Sequence, residues 1–428
     1  MPFPIRSIAA SVFWVLIFSN QAAADAVAPT MLTQPQAVDE ALANSPRVAS
    51  ADASVKAAEG GLTQAGAMPN PSLGLEGENM GGSGQYRGFD SAEVTYGLSQ
   101  QIEIGGKRGA REDAAGKQLM MTKLDAAIKR LDVERDVKQA FASAVAAQES
   151  LRLAEDALSI AEKELKSVSR RVAEAASPMI QKSKAEVTLA TAKFNVEQAR
   201  EEQATARTQL ATLLGRSTIT ETLDAASFFE IAEPKAGDNE ALERTPDMMR
   251  LQLAEDKAKA LLDIERAGAI PDPTVSLGVR ELRETSDRAF MLGLSIPLPV
   301  LNSNSGNIAQ ARAEVSRTAS DQQAARLELL QRYMAAKAAL RTAYVKATSY
   351  NRTVLPAAEE SFALSRQGYE AGKFQYLEVL DAQRTLFDSR TQYMMALRDY
   401  HGRKAEVERL STPYTKTEKT DGASNENE

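Results

Sequence analysis

In SAEVTYGLSQQIEI, residues 91–104, apolar side chains fall on the even positions Val94, Tyr96, Leu98, Ile102 and Ile104. Glu93, Thr95, Ser99, Gln101 and Glu103 lie between them. A period of two held for this long describes a strand with one apolar and one wet face. The same alternation recurs in TVSLGVREL (274–282) and AFMLGLSI (289–296), and more weakly in SLGLEGEN (72–79). The pattern predicts strands at about 72–80 and 91–104, and at about 274–282 and 288–297. Two hairpins follow, turning through GGSGQYRGFD (81–90) and RETSD (283–287). In isolation such strands suit a half-buried sheet in a soluble protein. In an exported chain they also suit the wall of a membrane barrel, with a lipid face and a wet face. Lipid tolerates no open sheet edge, and single-chain barrels begin at about eight strands. Four strands must then be completed by other copies of the chain, and two, three or four protomers would all satisfy that demand.

Export is legible at the N-terminus. Arg6 precedes an apolar core from Ile8 to Phe18, and Ala22, Ala23 and Ala24 stand before Asp25. This is the form of a secretory signal over residues 1–24. Its apolar run is too short to span a bilayer as a helix, and no later segment is apolar enough to try. The net charge of −7 disfavours nucleic acid as a partner. With no cysteine in the chain, the fold does without disulfides and without thiolate metal sites.

The chain repeats itself. ALANSP (41–46) returns as ALERTP (241–246), and GAMPNPSLGL (66–75) returns as GAIPDPTVSLG (268–278). Each unit reads helix, β-hairpin, long helix, second helix, which divides the mature chain into residues 25–233 and 234–412. A polar tail expected to be disordered follows at 413–428. In the first long helix Val137, Ala144, Leu151, Leu158, Leu165 and Val172 form one row at seven-residue spacing. Ala140, Ala147, Ala154, Ala161 and Val168 form a second row, making a coiled-coil seam of large knobs and small holes. Ala185, Ala192, Ala199, Ala206 and Leu213 repeat the device after Pro178. Tyr333, Leu340, Ala347 and Val354 hold a looser row in the second unit, where Pro356 is expected to kink the helix. Each long helix would run for roughly 100 Å. Heptads alone would read as a structural rod; combined with the strands they predict a mainly α protein with membrane β. Residues 215–239 join the units and are expected to wrap the middle of the helical body.

Little of the chain reads as chemistry. GGKRG (105–109) has the look of a phosphate loop. Yet Gln101 stands where the first glycine of GxxxxGK belongs, and Arg108 follows the lysine. The glycines are better read as a strand-to-helix bend, with Lys107, Arg108 and Arg111 a solvated basic collar. His401 is the only histidine, so neither a transition-metal site nor a Ser-His-Asp set can be assembled around it. No enzyme, cofactor or bound metal is expected. Glu378 and Asp381, in YEAGKFQYLEVLDAQ (369–383), lie three apart on one helical face. They leave no slot for a sugar between them, so a glycosidase pair is excluded and a solvated helix face is the plain reading.

PNPSLGLEGEN, LSQQIEIGGKRGAR and LPAAEESFALSRQGYEAGKFQYLEVLDAQRTL together resemble the TolC-like outer-membrane factors. The LSQQIEIGGKR form is most similar to their heavy-metal-cation efflux subgroup. The likeness covers nearly the whole mature chain, twice over. It implies a homotrimer in which a twelve-stranded β-barrel in outer-membrane lipid continues into a periplasmic α-helical barrel. It also implies a periplasmic adaptor (a membrane fusion protein) and an inner-membrane pump of the RND type as partners. Glu378 and Asp381 would then form a ring of carboxylates at the periplasmic end, where close like charges concentrate cations. Tyr369 matches the family's latch tyrosine, whereas Phe374 stands where the latch has an arginine. The helix-turn ends, Ala175, Ala176, Ser177 and Pro178 with Ala371, Gly372, Lys373 and Phe374, are the expected adaptor contacts. The expected function is a passive exit duct for heavy-metal cations or other toxic solutes. A multidrug or type I secretion duct of the same family, and a periplasmic coiled-coil structural protein, are the alternatives.

Overall fold

A computed structural model describes residues 31–234 and 242–415. The leader at 1–24 and the tail from 416 lie outside the described residues. The first unit opens with β1 (Met31–Leu32), α1 (Gln34–Asn44) and α2 (Pro46–Ala65). Pro46 starts α2 at a position where its missing N–H costs nothing. Strands β2 (Ser72–Glu78) and β3 (Glu93–Gln101) follow, then α3 (Lys107–Ala173) and α4 (Met179–Leu214). The connecting segment holds β4 (Thr222–Leu223) and α5 (Ala226–Phe229). The second unit has α6 (Pro246–Gly268), β5 (Thr274–Leu282) and β6 (Asp287–Ser295). It ends with α7 (Ser305–Ser349), a π-helical turn (Tyr350–Val354), α8 (Leu355–Glu370) and α9 (Tyr376–Ser411).

The four long strands form one antiparallel sheet in the order β2-β3-β5-β6. Its register sorts the side chains into two faces. Leu73, Leu98, Leu277 and Leu292 lie in one row across the sheet, and Leu75, Tyr96, Val279 and Phe290 in the next. On the other face Ser72, Ser99 and Ser276 stand in line, as do Gly74, Gly97 and Gly278. Phe290 is 93% exposed and Leu73 85%, so the apolar rows are bare in the single chain. Both edges, β2 and β6, lack a ladder partner among the described residues.

β3 ends three residues before the expected Ile104. Beyond Gln101 the backbone leaves the ladder: Ile102 N–H donates to Pro273 O (2.9 Å) and Ile104 N–H to the Asp272 carboxylate (3.0 Å). Gly105 and Gly106 then take φ of +72° and +75° to turn into α3. A Cβ on Gly105 would lie 2.6 Å from Ile270 Cδ1, so both backbone angle and space require glycine there.

α3 runs unbroken for 67 residues, roughly 100 Å. Its small-residue seam packs against α4, and Ala185, Val196 and Leu210 are buried there. α9 lies along another side of α3, and the main core gathers Val137, Phe141 and Val145 with Leu214 and Leu397. In the second unit Tyr333, Leu340 and Ala347 keep their row buried, but Val354 does not: it is 37% exposed. The π turn at 350–354 rotates the helix face before the row reaches it. That wider turn also accommodates Pro356, which offers no N–H and crowds the preceding turn.

The connecting segment crosses the helices near their middle. β4 pairs in parallel with β1, and Gln148 of α3 bonds both N–H and C=O of Leu223. Phe228 stacks on His401 at 5.3 Å, and a His401 ring nitrogen bonds Phe228 O at 2.8 Å. His401 is thus a packing residue, and burial lowers its pKa from the ordinary 6.5.

Candidate functional site: the helical tip and the carboxylate face

Two helix-to-helix turns form the end of the bundle remote from the sheet. In the first, Ala175 takes φ +55°, and the N–H groups of Ala175 and Ala176 donate to Val172 O (3.0 Å) and Arg171 O (2.8 Å). In the second, Gly372 takes φ +73°, with Gly372 and Lys373 donating to Tyr369 O (3.0 Å) and Gly368 O (2.8 Å). Both are left-handed C-terminal caps that satisfy the last carbonyls of a helix. Ala175, Ala176 and Pro178 are exposed and Ser177 half-buried, while Ala371, Gly372, Lys373 and Phe374 are all exposed. The Phe374 ring lies on Gly368, where an added Cβ would come within 2.1 Å of it.

Tyr369 turns inward. Its hydroxyl donates to Gln181 Oε1 (3.3 Å), its ring centre lies 4.8 Å from the Arg171 guanidinium, and its ring is 5.5 Å from that of Tyr376. Glu378 and Asp381 sit in the first turns of α9 on the opposite, exposed face; Tyr376, Val379 and Ala382 supply the buried face. Both acids are therefore available to solvent, and Tyr369 is not brought to them. Beside Tyr376 lies Glu164, a buried carboxyl that sequence reasoning passed over. Glu164 adjoins the heptad row at Leu165, where a charged residue normally faces water, and α8 and α9, folding back from the other repeat, cover it.

At the sheet end, the basic collar is not free charge. Lys107 pairs with Asp272 (2.7 Å), Arg111 with Glu103, and Arg108 with Glu112 (3.5 Å). Arg111 also donates to the carbonyls of Ala65 and Ala67. These pairs staple α2, the β3 exit and the β5 entry into one joint; Lys107 is mostly buried there, and only Arg108 stays largely exposed. Among the described residues no group of three or more His, Cys, Asp or Glu is placed to hold a metal ion, and no helix is long and apolar enough to cross a membrane.

An open-edged sheet with a bare apolar face, continuous with helices of this length, defines the protomer of an outer-membrane channel with a periplasmic extension. The sequence signature of the outer membrane efflux protein family matches residues 37–216 and 239–411. The cobalt-zinc-cadmium resistance protein CzcC of Cupriavidus metallidurans is 31% identical over 354 residues, 82% of this chain and 83% of that protein. The nickel and cobalt resistance protein CnrC of the same organism is 27% identical over 319 residues, 74% of each. A solved structure of CusC, described with its folding and transmembrane channel formation, superposes with a TM-score of 0.76 at 20% identity, covering 89% of this chain and 92% of that one. The chain belongs to the outer membrane efflux protein family. It is an outer-membrane efflux channel component that extends into the periplasm, and it is not an enzyme.

Proposed function

We propose that three copies close a twelve-stranded barrel and a continuous helical tube, and that this duct releases heavy-metal cations delivered by an inner-membrane RND pump through a periplasmic adaptor. The observation that carries this reading is the sheet itself: four strands, two open edges and one apolar face. Lipid can accept it only when other copies supply the missing edges. A second feature supports the same assembly. Ile180, Val187 and Phe194, at seven-residue spacing on α4, are 61%, 66% and 67% exposed, while α3 is already covered by α4 and α9. An apolar heptad row left bare on α4 suits a neighbouring copy.

The relatives named above act in resistance to cobalt, zinc, cadmium and nickel, which supports metal cations as cargo. Glu378 and Asp381, exposed on one face of α9, would give a trimer a ring of six carboxylates that favours cations over anions. Tyr369 would act as an inward brace of the same tip. The turns at 175–178 and 371–374 would meet the adaptor, and the division near residues 233 and 234 would separate the two repeat units. Glu378→Gln combined with Asp381→Asn is expected to lower the cation-to-anion permeability ratio several-fold in planar-bilayer recordings. An unchanged ratio would remove the ring from the account. Metal sensitivity of a deletion strain, set against its drug sensitivity, separates metal efflux from multidrug efflux or type I secretion.

A further inference from the structure

Near the tip, α3, α8 and α9 line a partly open cavity of about 240 Å³. The charged and titratable groups that face it are Lys163 and Glu164 from α3, Arg366, Tyr369 and Glu370 from α8, and Tyr376 from α9. Tyr376 is 2% exposed, and its hydroxyl lies beside the two fully buried carboxylate oxygens of Glu164 without reaching hydrogen-bond geometry; neither group has another partner. Arg366 supplies the opposing charge that acts on Glu164, yet it is mostly exposed and leans on Glu370 at 3.9 Å. An ionised carboxylate without a donor is far harder to bury than the neutral acid.

We propose that Glu164 is a proton-operated latch between the two repeats: as the neutral acid it stays in the cavity beside Tyr376 and keeps α3 packed on α8 and α9. As the carboxylate it leaves for Arg366 and water, and the α8–α9 end separates from α3. Burial, opposed by the field of Arg366, raises the Glu164 pKa from 4.5 to about 7. The packed arrangement therefore binds the proton more tightly than the separated one, where the ordinary 4.5 applies. Packing is strongest below about 4.5, weakens as the pH rises through the interval to about 7, and is weakest above it. The device would set tip opening by periplasmic acidity. It rests on the packing of one protomer and not on cation selectivity.

The chain has no cysteine, so spin labels can be placed without background. With Lys166→Cys on α3 and Gln367→Cys on α8, both exposed, pulsed EPR on the full-length detergent-solubilised protein reads their separation. The expected result is a shift to longer distances between about pH 5 and about pH 8, with Glu164→Gln held at the short distance throughout. Tyr376→Phe, which keeps the ring and loses the hydroxyl that favours the carboxylate, should move the transition to higher pH. A distance that does not change with pH, the same shift in Glu164→Gln, or a transition unmoved by Tyr376→Phe would overturn the latch.

Discussion

Ala175 holds a left-handed backbone angle, φ +55°, that an L side chain enters at a cost of roughly 1–2 kcal/mol. The other tip places Gly372 in the same conformation without that cost. Ala175→Gly should therefore stabilise the first turn by about 1 kcal/mol, read as slower native-state hydrogen exchange of the amides at 172–177. Faster exchange would mean that the strain lies elsewhere. The same scale explains which tip residues the sequence made legible. The turns were visible from Pro178 and Gly372 and the acidic face from the i, i+3 spacing, because both are local. The burial of Glu164, the inward turn of Tyr369 and the pairing of Lys107 with Asp272 were not visible, because each partner arrives from another part of the chain.

At the scale of elements, the strands and the α3–α4 seam were readable because periods of two and seven are imposed by packing along the whole element. Their ends were less so: β3 stops at Gln101 because Pro273 and Asp272 capture the next amides, although the alternation runs on to Ile104. The π turn likewise exposes Val354 against its heptad register; Pro356 signals an irregularity there, but nothing in the residue spacing shows the rotation of the helix face. Two tests belong here. Burying Phe194 against a neighbour is worth about 2 kcal/mol, so Phe194→Glu should dissociate the assembly, seen as a fall in mass by size-exclusion chromatography with light scattering. An intact assembly would place the neighbour on another face. His401 is buried with a lowered pKa, so its contribution is present above 6.5 and lost as pH falls below it. Segment 215–234 should consequently become more sensitive to limited proteolysis near pH 5 than at pH 7.5. His401→Phe, which keeps a stacking ring on Phe228 without the proton, should abolish that difference.

For the whole molecule, geometry leaves one question that governs the rest. The wet face of the sheet, with its rows of serine and glycine, has a function only if it lines an enclosed lumen, and the leucine face only if lipid covers it. Among the described residues a lone chain provides neither enclosure nor partners for the edges of β2 and β6. Ring, tube and adaptor-facing tips all presuppose the closed assembly. Native mass spectrometry of the full-length protein released from detergent micelles addresses this directly. The account expects a dominant species of three chains that persists at high activation energy. A dominant single chain, folded and stable in detergent, would contradict it.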